Sequence, residues 1–392
     1  VAIPLRYPLR NLAHRRVRTA LTVAVVALVV IATTLFLGLV SSMRRTLAST
    51  GSPDNLIVLR KGSENDGSSA IPLEAYQALR FFEGVAKDAK GEPLASPELV
   101  VQPFFATEEG GRENVLVRGV EAQALGVHDE VRIAEGRMFE PSQGEAVIGR
   151  GVASRYRGAQ LGRELRFGRR TWKIVGVLES GGSSFESEVW VDARDLAADA
   201  KRAIPYSGLR LKVAPGADPD ALIRRIEDDP RWALAAKPET EYYAKQAESA
   251  NVFYVLVVGL AVLAGVAAVF GATNTMYAAV QARIAEIGTL RALGFSRGAV
   301  LQAFLLESIA LAGLGLLAGV AIAVPLAFAV SQALGGIGFG ISTFSTSVIT
   351  LRIGPFDVAV AAGLALAIGL GGGLAPAWRA AKLRPVEALR KG

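Results

Sequence analysis

Cysteine is absent from the 392 residues, and histidine occurs only at His14 and His128. No disulfide can form, and a metal centre of the usual His-rich zinc type is not expected. The nucleotide-binding pattern Gly-x-x-x-x-Gly-Lys-Ser/Thr does not occur, so any use of nucleotide energy needs another chain. The Gly-x-Ser-x-Gly elbow of serine hydrolases is missing too. With no catalytic constellation in view, the chain is expected not to be an enzyme.

Charge is missing in four places. No charged side chain lies within 19–43, 249–282, 308–351 or 358–378. A helix needs about 20 apolar residues to cross a bilayer core, and each window is long enough. The expected fold is an α-helical membrane protein with transmembrane helices at 19–42, 252–280, 300–331 and 356–378. The first run exceeds the apolar stretch of a cleavable signal, about 7–15 residues, so it is expected to stay as an anchor. Val1 is not a methionine, which points to a trimmed or engineered start.

What charge there is falls unevenly. Basic residues crowd the segment 1–18 (Arg6, Arg10, Arg15, Arg16, Arg18), the link 281–299 (Arg283, Arg291, Arg297) and the tail 379–392 (Arg379, Lys382, Arg384, Arg390, Lys391). Only Glu286 and Glu387 oppose them, so these pieces carry more positive charge than the whole chain's +7. The positive-inside rule then puts both termini and the 281–299 link in the cytoplasm, against a mild counter-signal from Arg44 and Arg45. The link 332–355 is expected outside. Basicity explained by topology leaves little support for nucleic acid as a partner.

Residues 43–248 become one large extracytoplasmic domain of mixed α/β type, inserted between the first two spans. "NLIVLRKG", "ELVVQPFFAT", "ENVLVRGV" and "TWKIVGVLE" read as strands. "DPDALIRRIEDD" reads as a helix, with an acidic start. "RKGSENDGSSA" reads as a mobile loop, and "ESGGSSFESE" as a surface hairpin. A domain of this size can bury its core without disulfides.

Polar residues inside the spans are few. Asn274 lies near the end of the second span. Glu307 lies about two turns into the third, where snorkelling to the interface and bonding inside the bundle are both open. Gly315 with Gly319, and Gly369 with Gly373, make small-xxx-small patterns that let helices approach closely.

"QARIAEIGTLRALGFSRGAV", residues 281–300, reads as a short charged helix pinned between two spans. Ile284, Ile287 and Leu290 share one face, while Glu286 and Thr289 point the other way. Gly294 suits the helix end, and Ser296 can cap the next helix.

The stretch from "NTMYAAVQARIAEIGTLRALGFSRGAV" onward closely resembles the link between the second and third spans of MacB/FtsX-type ABC transporter permeases. "APAWRAAKLRPVEALRKG" looks like their C-terminal signature, and "NLAHRRVRTALTVAVVALVV" is similar to their first amphipathic segment and span. "GEAVIGRGVASRYRGAQLG", "WKIVGVLESGGSSFESEVWV" and "EYYAKQAE" resemble the MacB-like periplasmic core domain. The resemblance implies a multi-pass protein of the bacterial inner membrane that works as a dimer, with a second copy or a paralogue. It implies a separate ATP-binding subunit, since only 18 residues precede the first span, and that partner would hold ATP and Mg. By position the coupling role falls on Ile284, Glu286, Ile287, Gly288, Leu290, Arg291, Ala292 and Gly294. The periplasmic domain is expected to divide into a porter-like part at 50–108 and 205–245 and a lobe at 109–204. Export of a small molecule or peptide, with a periplasmic adaptor or substrate protein and membrane lipid as contacts, is the expected outcome. Lipid or lipoprotein extraction, control of a cell-wall hydrolase, or a membrane sensor without ATPase are the alternatives.

Overall fold

The computed structural model describes residues 16–108, 110–248, 250–334, 336–339 and 347–383, with backbone alone for Arg16, Arg18, Ala250, Phe339 and Ser347. Residues 1–15 and 384–392, and with them most of the expected N-terminal segment and C-terminal tail, lie outside the described residues. So does the middle of the 332–355 link. The helices are α1 (Arg16–Ala48), α2 (Leu73–Leu79), α3 (Ala124–Val127), α4 (Arg150–Arg155), α5 (Ala193–Asp199), α6 (Pro219–Glu227), α7 (Glu239–Glu248), α8 (Ala250–Gln281), α9 (Ile284–Ala292), α10 (Arg297–Ala333) and α11 (Pro355–Lys382). Two compact units form: Val1–Ser41 with Asn251–Ala329 and Arg352–Gly392, and Ser42–Ala250 with Val330–Leu351.

The first unit is helical. Four helices are long and apolar enough to cross a membrane, with mean hydropathy between 2.0 and 2.8, and the four expected windows fall within them. At about 1.5 Å per residue even α11 is longer than a hydrocarbon core of about 30 Å. Helices suit that solvent because every mid-span backbone group finds its partner within the segment. Glycine sets how the helices pack. A Cβ on Gly315 would stand 2.6 Å from Val26 Cβ, and one on Gly319 2.7 Å from Val30 Cβ, which joins α10 to α1. By the same measure Gly369 lies 2.9 Å from Ala312 Cβ and Gly373 2.6 Å from Ser308 Cβ, both of α10, and Gly372 lies against Ala272 of α8. The Ser308 hydroxyl donates to the Gly369 carbonyl at 2.7 Å. At the start of α11, the Asp357 carboxylate accepts from the Gly354 N–H at 2.7 Å and from Ser41 Oγ at 2.6 Å.

The second unit is built on strands β1 (Asn55–Arg60), β2 (Ala95–Val101), β3 (Phe104–Ala106), β4 (Arg112–Asn114), β5 (Leu116–Val120), β6 (Arg132–Gly136), β7 (Glu145–Gly149), β8 (Glu164–Phe167), β9 (Arg170–Glu179), β10 (Glu188–Asp192), β11 (Gly208–Lys212), β12 (Leu234–Pro238), β13 (Ile337–Phe339) and β14 (Ser347–Ile349). Ten of them make one mixed sheet in the order β12-β1-β11-β2-β5-β10-β7-β9-β6, with β8 on β9. The segments expected to form a porter and a lobe both feed this sheet. They meet at β2, whose residues 95–98 pair with β11 and 99–101 with β5. Apolar clusters cover its faces, one around Trp172, Phe167 and Tyr156, another around Leu209, Tyr76 and Ile226, and a third around Trp190, Phe185 and Tyr243.

Three loop expectations change. "RKGSENDGSSA" is folded in, because a short 3-10 turn at Asp66–Ser68 carries Asp66 into the interior, where it meets buried arginines. "ESGGSSFESE" is not a surface hairpin. β9 and β10 do not pair with each other, β7 lies between them, and Ser183, Phe185 and Ser187 are buried. The cause is the apolar Phe185, which the core takes in and the turn must follow. Lastly, the 332–355 link carries an antiparallel hairpin, β13 on β14, that is built into the outer domain. Arg155 Nη1 donates to the Leu334 and Gly336 carbonyls, and the Val348 N–H donates to Ser187 Oγ at 2.8 Å.

Candidate functional site

Helix α9 is short because its ends are fixed by local chemistry. Gly294 takes φ +92°, in the left-handed region that favours glycine, and the Phe295 N–H reaches back to the Leu290 carbonyl at 3.2 Å. Arg291 Nη1 donates to the Phe295 carbonyl at 2.7 Å, which holds the turn. Ser296 Oγ then accepts from the Ala299 N–H at 3.1 Å and starts α10.

The apolar face of α9 is turned inward. Ile287 is 1% exposed and belongs to a buried apolar cluster with Met276 and Val280 of α8, Val300, Phe304 and Leu311 of α10, and Ala377 and Ala380 of α11. Gly288 is buried with it, and Ile284, Leu290 and Arg291 are half-buried. Glu286, Thr289, Ala292, Leu293 and Gly294 are exposed, Leu293 by 72%. Ile287 and Gly288 thus close the bundle, and the exposed face of α9 is the one that carries Glu286, Thr289 and Leu293.

Glu307 points into protein. It is 6% exposed and accepts from Arg283 Nη1 at 2.8 Å and Nη2 at 3.1 Å. Arg283, read in the sequence as a topological charge alone, precedes the first residue of α9 and is 5% exposed. Asn274 lies elsewhere, exposed on α8. The four packing glycines lie within the bundle as described above, apart from the α9 surface.

A second gathering of polar groups, in the outer domain, escaped the sequence reading. Arg118 of β5 grips Glu188 with Nε at 2.7 Å and Nη2 at 2.6 Å, and reaches Glu98 with Nη1 at 2.7 Å. Arg210 of β11 bonds the same Glu98, together with Glu239 at 2.9 Å and Asp66 at 3.3 Å. His128 Nε2 meets the other Glu98 oxygen at 2.7 Å. Burial opposes charge on Glu98, but the facing guanidiniums of Arg210 and Arg118 overcome it and hold its carboxyl well below the usual range. The sole sequence signal was an arginine amid apolar residues in "LVRGV" and "GLRLK", where neighbours on both faces are buried.

Comparison with known proteins matches this arrangement in both parts. The model of the MacB-like periplasmic core domain covers residues 19–229, more than half the chain, and that of the FtsX-like permease C-terminal covers 258–385. The chain is similar to a macrolide export ATP-binding/permease protein MacB 1/2 of Paracoccus denitrificans, 28% identical over 60% of this chain and 35% of the relative. It is also similar to a macrolide export ATP-binding/permease protein MacB of Bdellovibrio bacteriovorus, 27% identical over 97% of this chain and 60% of the relative. The chain thus spans about a third to three-fifths of the length of these relatives. A crystal structure of the periplasmic region of MacB from Actinobacillus actinomycetemcomitans aligns at 10% identity and a TM-score of 0.38, over 50% of this chain and 92% of that one.

Proposed function

Because the chain belongs to the family of ABC transporter permeases with a MacB-like periplasmic core domain and an FtsX-like C-terminal region, we propose that it transmits ATP-driven motion to its outer domain. ATP and Mg are held by an ATP-binding partner on the cytoplasmic side of the inner membrane, and two permease copies or paralogues face each other. Both termini are cytoplasmic in this reading, and the motion drives export of a small molecule or peptide.

One observation carries the reading. The outer unit takes its residues from two separate crossings, 42–250 and 330–351. The chain therefore leaves the helical unit through α1 and α10 and returns through α8 and α11, and in this reading those four connections carry the motion. At the other end, α9 closes the bundle through Ile287 and is fastened to α10 by Arg283 and Glu307. Glu286, Ala292 and Gly294 then belong to the partner-facing side. Ile284, Ile287, Gly288, Leu290 and Arg291 hand the load to the spans.

The test compares Leu293→Asp with Ile287→Asp in a chain co-expressed with a candidate ATPase. Leu293→Asp is expected to yield normal amounts of folded chain while losing co-purifying ATPase. Ile287→Asp should lower folded chain itself, since an unpaired charge inside the bundle costs several kcal/mol. Wild-type ATPase binding and hydrolysis in Leu293→Asp would remove α9 as the docking element.

A further inference from the structure

We propose that the outer domain holds a divalent transition-metal site of the zinc class, made by His128, Glu130 and Glu239. A ring nitrogen of His128 and one carboxylate oxygen from each glutamate lie within 4.8 Å of one another. His128 follows α3, Glu130 is two residues on, and Glu239 opens α7, so the fold brings together two segments more than 100 residues apart in sequence.

The orphaned atoms point to a ligand. His128 is fully buried, and Glu98 occupies its Nε2 at 2.7 Å. Its Nδ1 is buried and has no partner. Glu130 Oε1 is also buried and without a partner. Buried polar atoms nearly always find partners, so two such atoms in one group of potential ligands call for a shared one. A histidine that donates one ring N–H to a carboxylate presents the other nitrogen as a lone pair. That is the carboxylate–histidine–metal arrangement of protein metal sites. Phe185 and Trp190 stand 4.9 and 5.3 Å from the His128 ring and hold its plane.

Charge agrees. The carboxylates of Asp66, Glu98, Glu188 and Glu239 face the guanidiniums of Arg118 and Arg210, and Glu130 adds one more acid beside Glu239, so acids outnumber guanidiniums in this connected set. A divalent cation offsets most of that excess. Glu239 is aimed by three donors: Arg210 Nε on Oε1 at 2.9 Å, and the Ser52 N–H and Asn55 Nδ2 on Oε2 at 3.1 and 3.0 Å. A carboxylate oxygen has two lone pairs, so Glu239 can keep bonds and still coordinate. One imidazole nitrogen with carboxylate oxygens suits Zn2+, Co2+ or Mn2+ over Ca2+ or Mg2+. Metal–donor bonds of about 2.0–2.2 Å would draw the three groups inward and pin the segment after α3 to the first turn of α7.

The experiment uses the tag-free full chain in detergent, stripped with chelator and then titrated with Zn2+. Expected are one Zn2+ per chain by elemental analysis, a saturable rise in melting temperature, and visible d–d absorption when Co2+ replaces zinc. Glu130→Gln, a near-isosteric change at a half-buried position, should weaken Zn2+ binding at least tenfold while the metal-free melting temperature stays within a few degrees. Asp129→Asn, one residue away and exposed, should bind zinc as the wild type does. No stoichiometric zinc in the wild type, or equal affinity in Glu130→Gln, would overturn the site and leave protons as the source of balancing charge.

Discussion

Arg283 and Glu307 meet through two parallel hydrogen bonds, at 2.8 and 3.1 Å, across 24 residues of sequence. The guanidinium also lies over the Phe304 ring, 5.9 Å from its centroid. One partner sits at the entry to α9 and the other inside α10, so the pair locks the short helix to the span that follows it. A buried pair of this kind is weak evidence for net stability, but breaking it leaves an uncompensated charge.

Arg283→Met should therefore destabilise the helical unit by about 3–5 kcal/mol, since it leaves Glu307 buried without its partner. Arg283→Met combined with Glu307→Gln should recover much of that loss. Thermal unfolding in detergent of the two singles and the double gives the coupling. Additive losses would mean that the two residues act independently.

The glycine contacts make a local prediction. Gly315→Val places new atoms where Val26 already stands, 2.6 Å from the ideal Cβ, and overpacking costs about 1–3 kcal/mol. Gly313→Ala, with nothing within 4 Å, should be neutral or slightly stabilising in a helix. If Gly313 and Gly315 respond alike, α10 does not pack on α1 along this stripe.

The buried cluster predicts acid sensitivity. The carboxyl of Glu98 is held below its usual range by Arg210 and Arg118 against burial, and that of Glu113 by its hydrogen bond to Arg155. The unfolded chain binds more protons than the folded one below the unfolded glutamate value of about 4.3. Their stabilisation is thus present above that pH and lost as pH falls below it. Fluorescence of the buried Trp172 and Trp190 should report unchanged stability from pH 7 to 5 and a steep fall beneath about 4. Arg210→Met, which takes a guanidinium from both Glu98 and Glu239, should lower stability by about 3–5 kcal/mol already at pH 7.

The cysteine-free chain makes topology measurable. Glu64→Cys, on an exposed turn of the outer domain, should react with an impermeant maleimide on intact cells. Ala285→Cys, exposed on α9, should react only after the membrane is opened. Labelling of Ala285→Cys from outside would invert the orientation and with it the docking role of α9.

What the sequence determined by itself is whatever rests on local order. Four uncharged windows specify spans because the bilayer rewards any apolar helix of sufficient length, wherever it packs. Gly294 and Ser296 specify where α9 stops and α10 starts, because caps act within a few residues. Tertiary structure alone decided which face of α9 is free, since Ile287 and Leu293 are both apolar and only the surrounding helices tell them apart. It also decided that Glu307 bonds to Arg283, that "RKGSENDGSSA" sends Asp66 inward, and that Glu98, Arg118, Arg210 and Glu239 share one interior. These are charges with partners from distant strands and helices. A charge carries no periodicity by which sequence can announce its partner, and its burial is tolerable only once that partner arrives.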